Sequence, residues 1–227
     1  MNISAILPAY NEELNIETTI YRLHKALLSI ADNFEIIVID DGSTDATEVI
    51  IRNLLSKYDS LKIVHHNDNK GYGCALRSGI DTALHDWLFI MDSDNQFDPE
   101  ELKKITKGID VESDALIGYR QNRQDSLTRI ISSRIYNMLA QCLFGLEVKD
   151  INCAFKLLRR SSVSCLHIKA RYYVVNMEIL LKLRRLKGVI KEFPVTHYPR
   201  RYGRSKVMLK DIIRTLNELL MLKVGRM

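Results

Sequence analysis

Little in this sequence cross-links, spans or repeats. The four cysteines, Cys74, Cys142, Cys153 and Cys165, are scattered, with no Cys-x-x-Cys pair. That excludes a zinc ribbon and a disulfide frame, and reads as buried or partly buried thiols in a reducing compartment. His65 and His66 are adjacent, and strand neighbours point to opposite faces, so they do not make a joint metal site. No uninterrupted apolar run approaches the length needed to cross a bilayer. Met1 leads straight into the apolar run at 3–7, so no signal peptide is expected. The expectation is a cytoplasmic protein, or one that touches a membrane from its cytosolic face. With no internal repeat, low-complexity tract or Pro/Gly-rich linker, the 227 residues read as one domain. Aromatics are not interleaved with a basic run, so no nucleic-acid partner is expected. The net charge of +5 suits phosphates or an anionic membrane surface.

What is present is a rhythm. Strand-like runs at 3–7, 35–39, 61–65, 87–91 and 115–118 alternate with helix-like segments at 12–31, 44–58, 73–84 and 99–107. This βαβα order with short joints predicts an α/β fold, a mostly parallel sheet flanked by helices. Past Tyr119 the rhythm changes. A polar stretch at 120–126 precedes a helix at 127–144, a strand-like piece at 154–158, a helix at 175–187 and a strand at 189–195. A very basic loop, 198–206, leads to an amphipathic helix at 207–224 with Ile212, Ile213, Leu216, Leu219 and Leu220 at helical spacing. That helix reads as a closing helix or as a basic face lying on anionic lipid.

Ligands of an open parallel sheet bind at the carboxyl ends of its strands. Here those ends carry Pro8-Ala9-Tyr10-Asn11-Glu12-Glu13, Asp40-Asp41-Gly42-Ser43, Asn67 to Gly73, and Asp92-Ser93-Asp94-Asn95-Gln96. Two carboxylates one residue apart at a rigid strand end offer hard oxygens for Mg²⁺ or Mn²⁺, which in turn hold phosphates. The same residues admit a plainer reading as a turn or helix cap, and Asp98-Pro99-Glu100-Glu101 does look like a helix start. Asp41 can accept from the N–H groups of a nucleobase. Gly71 allows close backbone approach, and Lys70 or Arg77 adds positive charge. The glycine spacing fits neither a Walker loop nor a dinucleotide fingerprint, which removes the main support for ATPase and dehydrogenase readings.

In this order, Leu7 to Glu13, Ile39 to Asp45, Asn69 to Gly73 and Asp92 to Asp94 resemble the family-2 glycosyltransferases with the GT-A fold. Asp150 to Arg160, Glu178 and Arg200 to Lys206 are similar to the dolichol- or polyprenol-phosphate mannose synthase branch. The resemblance implies a nucleotide-sugar-binding half at about 1–118, a smaller acceptor-side half at about 119–206, and a C-terminal helix at 207–227. It implies that Pro8, Ala9, Tyr10, Glu12, Asp41 and Ser43 hold the nucleoside, and that Asp92, Asp94 and Gln96 hold the cation; Lys70, Gly71, Arg77 and Ser93 are expected on the donor side with them. It further implies that Arg200, Ser205 and Lys206 close over the diphosphate, and that Arg120, Arg129 and Ser133 bind the acceptor phosphate. Arg129 and Ser133 share a face at one-turn helical spacing. Ala154 replaces the family's usual glycine before Phe155, beside Cys153 and Asn152. The Gln-x-x-Arg-Trp motif of processive polysaccharide synthases is absent.

The implied reaction is inverting, metal-dependent transfer from a GDP-mannose or UDP-glucose type donor to polyprenyl phosphate. Peripheral membrane contact or a membrane-protein partner would accompany it. An ionised lipid phosphate needs no general base, whereas a saccharide hydroxyl needs one, for which Asp150 is the candidate. Two alternatives remain open at this stage: transfer to a saccharide hydroxyl, and a non-catalytic nucleotide-sugar-binding subunit.

Overall fold

Alternating runs become alternating elements. The computed structural model describes residues 1–121, 127–200, 202 and 209–224; the side chains of 127–129, 209–213 and 216 lie outside the described set. The first half runs β1 (Asn2–Ala9), α1 (Ile16–Leu28), β2 (Asn33–Asp40), α2 (Thr47–Leu54), β3 (Leu61–His65), α3 (Tyr72–Thr82) and β4 (Trp87–Met91). A 3-10 turn (Pro99–Glu101) and α4 (Leu102–Thr106) lead to β5 (Ser113–Gln121). The second half adds α5 (Leu127–Phe144), β6 (Phe155–Arg159), α6 (Arg160–Val163), α7 (Val175–Arg185), β7 (Val189–Thr196) and α8 (Leu209–Lys223).

The strands form one seven-stranded sheet in the order β3-β2-β1-β4-β6-β5-β7. All run parallel except β6, which is antiparallel to both neighbours. Both faces are covered, so central strands are apolar on each side. On β2, Ile36 and Val38 pack with Ile20, Leu23 and Ile51 of α1 and α2, while Ile37 and Ile39 pack with Leu76 and Ile80 of α3. The α7 residues Val175, Ile179 and Leu183 join that second face, as do Leu219 and Leu222 of α8.

Two helices start later than periodicity suggests, because local hydrogen bonds hold the preceding turns. The α1 helix begins at Ile16 rather than residue 12: Asn11 is left-handed (φ 53°), and Asn15 N–H bonds back to Glu12 O. The α2 helix begins at Thr47 rather than 44, where Asp45 Oδ1 accepts from Thr47 N at 2.9 Å. Asp98 does open a helical turn, accepting from Glu100 N at 3.2 Å. Cys74 and Cys153 are buried, but Cys142 and Cys165 are exposed, so the expectation of covered thiols holds for two of the four. Among the described residues no helix is long and apolar enough to cross a membrane.

Candidate functional site

Because β6 alone is reversed, one rim collects the carboxyl ends of six strands and the start of β6. At its centre β1 has β2 on one side and β4 on the other. The chain departs in opposite directions there, which opens a crevice.

The rim segments are sewn together by backbone contacts. Ser93 is buried; its hydroxyl donates to Pro8 O at 2.8 Å, and its carbonyl accepts from Thr19 Oγ1 at 3.0 Å. The carbonyl of Ala9 accepts from Asp41 N, and Ser43 Oγ accepts from Asn11 N, both at 2.9 Å. The carboxylate of Asp41, 4% exposed, accepts from Lys70 N (3.0 Å), Gly71 N (2.9 Å) and His66 Nδ1 (2.7 Å). Gly71 is obligatory: its φ is +99°, and an added Cβ would meet Arg171 O at 2.5 Å. Tyr10 is half-buried at the same edge.

Asp92 and Asp94 follow β4 directly. Helix capping falls to Asp98, so the plain cap reading does not explain this pair. Asp94 Oδ1 accepts from Gln96 N at 3.1 Å, and Gln96 Nε2 donates to Tyr198 O at 3.0 Å, pinning this loop to the segment after β7. Burial pushes the Asp92 carboxyl up to about 7, and the Asp94 charge adds to the rise. The Lys156 and Arg120 cations and the Tyr72 hydroxyl work against it. That hydroxyl is buried and stands close enough to Asp92 to favour its ionised form. A desolvated, mutually repelling pair of hard oxygens suits an Mg²⁺- or Mn²⁺-sized dication.

Arg200 joins the pair from the far side. Its Nη2 donates to Glu12 Oε1, and its Nη1 lies 4.0 Å from Asp94 Oδ2. Burial opposes its charge, but the Glu12 hydrogen bond and the charges of Glu12, Asp94 and Asp92 prevail and raise its pKa. Across the crevice Arg120 forms a two-pronged pair with Asp150: Nε to Oδ2 at 2.7 Å and Nη2 to Oδ1 at 2.9 Å. Ser133 is half-buried on α5, where Arg129 occupies the first turn. The side chain of Arg129, and Ser205 and Lys206 entirely, lie outside the described residues.

Arg77 sits elsewhere. Its guanidinium donates to Ile168 O at 2.8 Å and lines a groove of about 330 Å³ with His167 and Lys169, between α3 and the segment after α6. Glu178 lies on α7. It is fully buried, accepts from Ala170 N at 2.7 Å, and ties the loop before α7 to that helix. Asp40, Glu48 and His65 bring ligand atoms within 4.8 Å of one another. Asp40 Oδ2 is already bonded to His65 Nδ1 at 2.9 Å, and Asp40 Oδ1 to Ser43 N, so the trio acts as a bracket between β2, β3 and α2. His66, Tyr72 and Lys156 escaped the sequence reading. Of these only Lys156 left a signal, a lone charge inside the apolar run 153–158.

The family described as Glycosyl transferase family 2 matches residues 4–166. The chain belongs to that family. It is 31% identical over 226 residues to dodecaprenyl-phosphate galacturonate synthase of Rhizobium johnstonii, covering 97% of this chain and 66% of that protein. It is 30% identical over 218 residues to undecaprenyl-phosphate 4-deoxy-4-formamido-L-arabinose transferase of Salmonella choleraesuis, covering 96% and 66%. The chain thus spans just under two thirds of those relatives. Glucosyl-3-phosphoglycerate synthase from Mycobacterium tuberculosis, solved with Mn²⁺ and UDP-glucose, superposes with a TM-score of 0.75 over 99% of this chain and 79% of its own, at 22% identity. The architecture of this family-2 chain is therefore the GT-A fold.

Proposed function

We propose that the protein transfers a sugar from a nucleoside diphosphate donor to polyprenyl phosphate, with inversion, at the cytosolic face of a membrane. The observation that carries this reading is the Asp92–Asp94 pair at the end of β4, with Arg200 Nη1 4.0 Å from Asp94 Oδ2. Asp92 and Asp94, with the Gln96 amide, would hold the dication. When bound, it supplies charge that favours departure of the diphosphate. Arg200 adds a second positive group on the same side.

The base is uracil rather than guanine. A carboxylate has about four lone-pair positions, and Asp41 commits three of them to Lys70 N, Gly71 N and His66. One acceptor position suits the single N–H of uracil; guanine offers two neighbouring donors and asks for both oxygens. The neighbouring fold crystallised with UDP-glucose is compatible with this choice.

On the acceptor side, Arg120 with Arg129 and Ser133 would position an anionic oxygen. Both oxygens of Asp150 are engaged by Arg120, which leaves it poorly placed to take a proton from a sugar hydroxyl. That favours an acceptor already ionised, and the names of the two relatives point the same way. Exposed Ile131, Ile135 and Met138 on α5, Leu220 and Met221 on α8, and Val224 just after it supply apolar surface for peripheral contact with the lipid phase.

The test is a panel of nucleotide sugars with Mn²⁺, read first by thermal shift and then by transfer of label to undecaprenyl phosphate. Stabilisation by UDP and label partitioning into organic solvent are expected. Retained anomeric configuration would defeat single displacement. Tight UDP binding without transfer to any acceptor would point to a non-catalytic subunit.

A further inference from the structure

Lys156 is the one lysine among the described residues that is fully buried. It stands on β6, opposite Ile90 of β4 and Ile117 of β5. Paired residues share a face, and so does the residue two further along, so Asp92 continues the row of Ile90 diagonally across from Lys156. The ammonium donates to Cys153 O and, at 3.1 Å, to Asn176 Oδ1 of α7, itself 2% exposed. Folding alone would be served as well by methionine, since a buried charge costs several kcal/mol unless something compensates it. Here burial, with the Arg120 charge, lowers the Lys156 pKa to about 8, against the opposing pull of Cys153 and of Asp150 and Asp92, the last two residues of the candidate site.

We infer that Lys156 is a positioning residue whose buried positive charge makes the Asp92–Asp94 site bind a dication together with a diphosphate in preference to the dication alone. The inference rests on the function proposed above. The sign follows from net charge. A bare dication brings positive charge toward the ammonium and is repelled, even if a proton leaves Asp92 as it arrives. A nucleoside diphosphate more than cancels the dication's charge, so the pair together is attracted. Lys156 therefore acts oppositely on the two binding events, and a residue needed only for packing would not.

Lys156→Met removes the charge at similar length, and Lys156→Gln removes it while keeping donors for Cys153 O. Lys156→Arg keeps the charge. Free Mn²⁺ would be titrated by electron paramagnetic resonance, and UDP binding at saturating Mn²⁺ by calorimetry, on the full chain. The neutral variants should hold bare Mn²⁺ as tightly as the parent or more so, and bind UDP with Mn²⁺ about tenfold more weakly. The arginine variant should return toward the parent. Parallel weakening of both affinities, no change in either, or failure of both neutral variants to fold would each overturn the inference. If the parent itself binds no UDP with Mn²⁺, the proposed function fails instead, and the two failures are told apart.

Discussion

The donor edge and the acceptor edge of the crevice are built by different means. Along β1, β2 and β3 the polar residues are fixed by main-chain bonds: Asp41 by two loop N–H groups, Ser43 by Asn11 N, Ser93 by Pro8 O. Across the crevice the order comes from charge: Arg120 on Asp150, and Lys156 under the start of β6. A backbone-locked edge loses activity when geometry changes, whereas a charge-locked edge loses it when a single charge is removed. The Asp92–Asp94 pair belongs to both.

Asp94→Ala should therefore have the largest effect. Turnover should fall about a thousandfold, and stabilisation by Mn²⁺ with UDP should vanish, while the metal-free melting temperature stays close to that of the parent. Retention of transfer within tenfold of the parent would remove the pair from the mechanism. Gly71→Ala comes next and probes the donor edge alone. With φ at +99° and Arg171 O at 2.5 Å from the added methyl, a loss on the order of 2–4 kcal/mol is expected in urea unfolding. A variant of parental stability would show that the loop gives way cheaply.

Arg120→Gln separates the edges. Acceptor KM should rise tenfold to a hundredfold, with UDP affinity in Mn²⁺ little changed. Removing one partner of a buried pair also leaves Lys156 to offset the Asp150 charge without Arg120, at a cost of about 3 kcal/mol in stability. Equal losses of donor and acceptor binding would mean that Arg120 supports the whole rim rather than the acceptor side.

Much of the donor edge was readable in advance, because its logic is local. Strands at 3–7, 35–39 and 87–91 follow from apolar runs, and the motifs at their ends mark the rim. Asp98 announces its helix by the proline after it. The turns at Glu12 and Asp45 were missed because local side-chain bonds, Asn15 Nδ2 to Glu12 Oε2 and Thr47 N to Asp45 Oδ1, hold a turn where periodicity alone continues the helix. The acceptor edge was less legible. The reversal of β6 rests on its sheet position between β4 and β5, a non-local fact that no window of residues contains. Arg77 looked like a donor-side cation because it follows the glycine loop by one helical turn. Its contact with Ile168 comes from a segment 91 residues away.

Proton linkage distinguishes the shared pair from an ordinary structural carboxylate. The folded pKa of Asp92 is raised to about 7, so folding favours its protonated form. That contribution to stability is present at low pH and lost as the pH rises through about 7. Burial of Glu35 pushes its pKa up, but the hydrogen bonds from Lys62, Ser4 and Leu84 prevail and lower it. Its contribution is present above the ordinary carboxylate range and lost as the pH falls through it. Stabilisation by Mn²⁺ should accordingly grow between pH 6 and pH 8, and Asp92→Asn should flatten that rise. An unchanged slope in the asparagine variant would place the titrating group elsewhere.

The smallest effect on stability is expected at the apolar face of α8. Leu219 and Leu222 are buried, and Glu218 accepts from Arg171 N at 2.8 Å, so the helix is fastened to the domain on one side. Leu220 and Met221, 64% and 51% exposed, face away from that contact. Leu220→Ser with Met221→Ser should move the unfolding free energy by no more than about 0.5 kcal/mol. If this face meets the lipid phase, transfer to undecaprenyl phosphate in anionic vesicles should fall severalfold, and transfer to the same acceptor in detergent should not. A uniform loss in both media would trace the defect to the Glu218 fastening. No loss in either would mean that α8 only closes the fold, and that any membrane contact falls to α5.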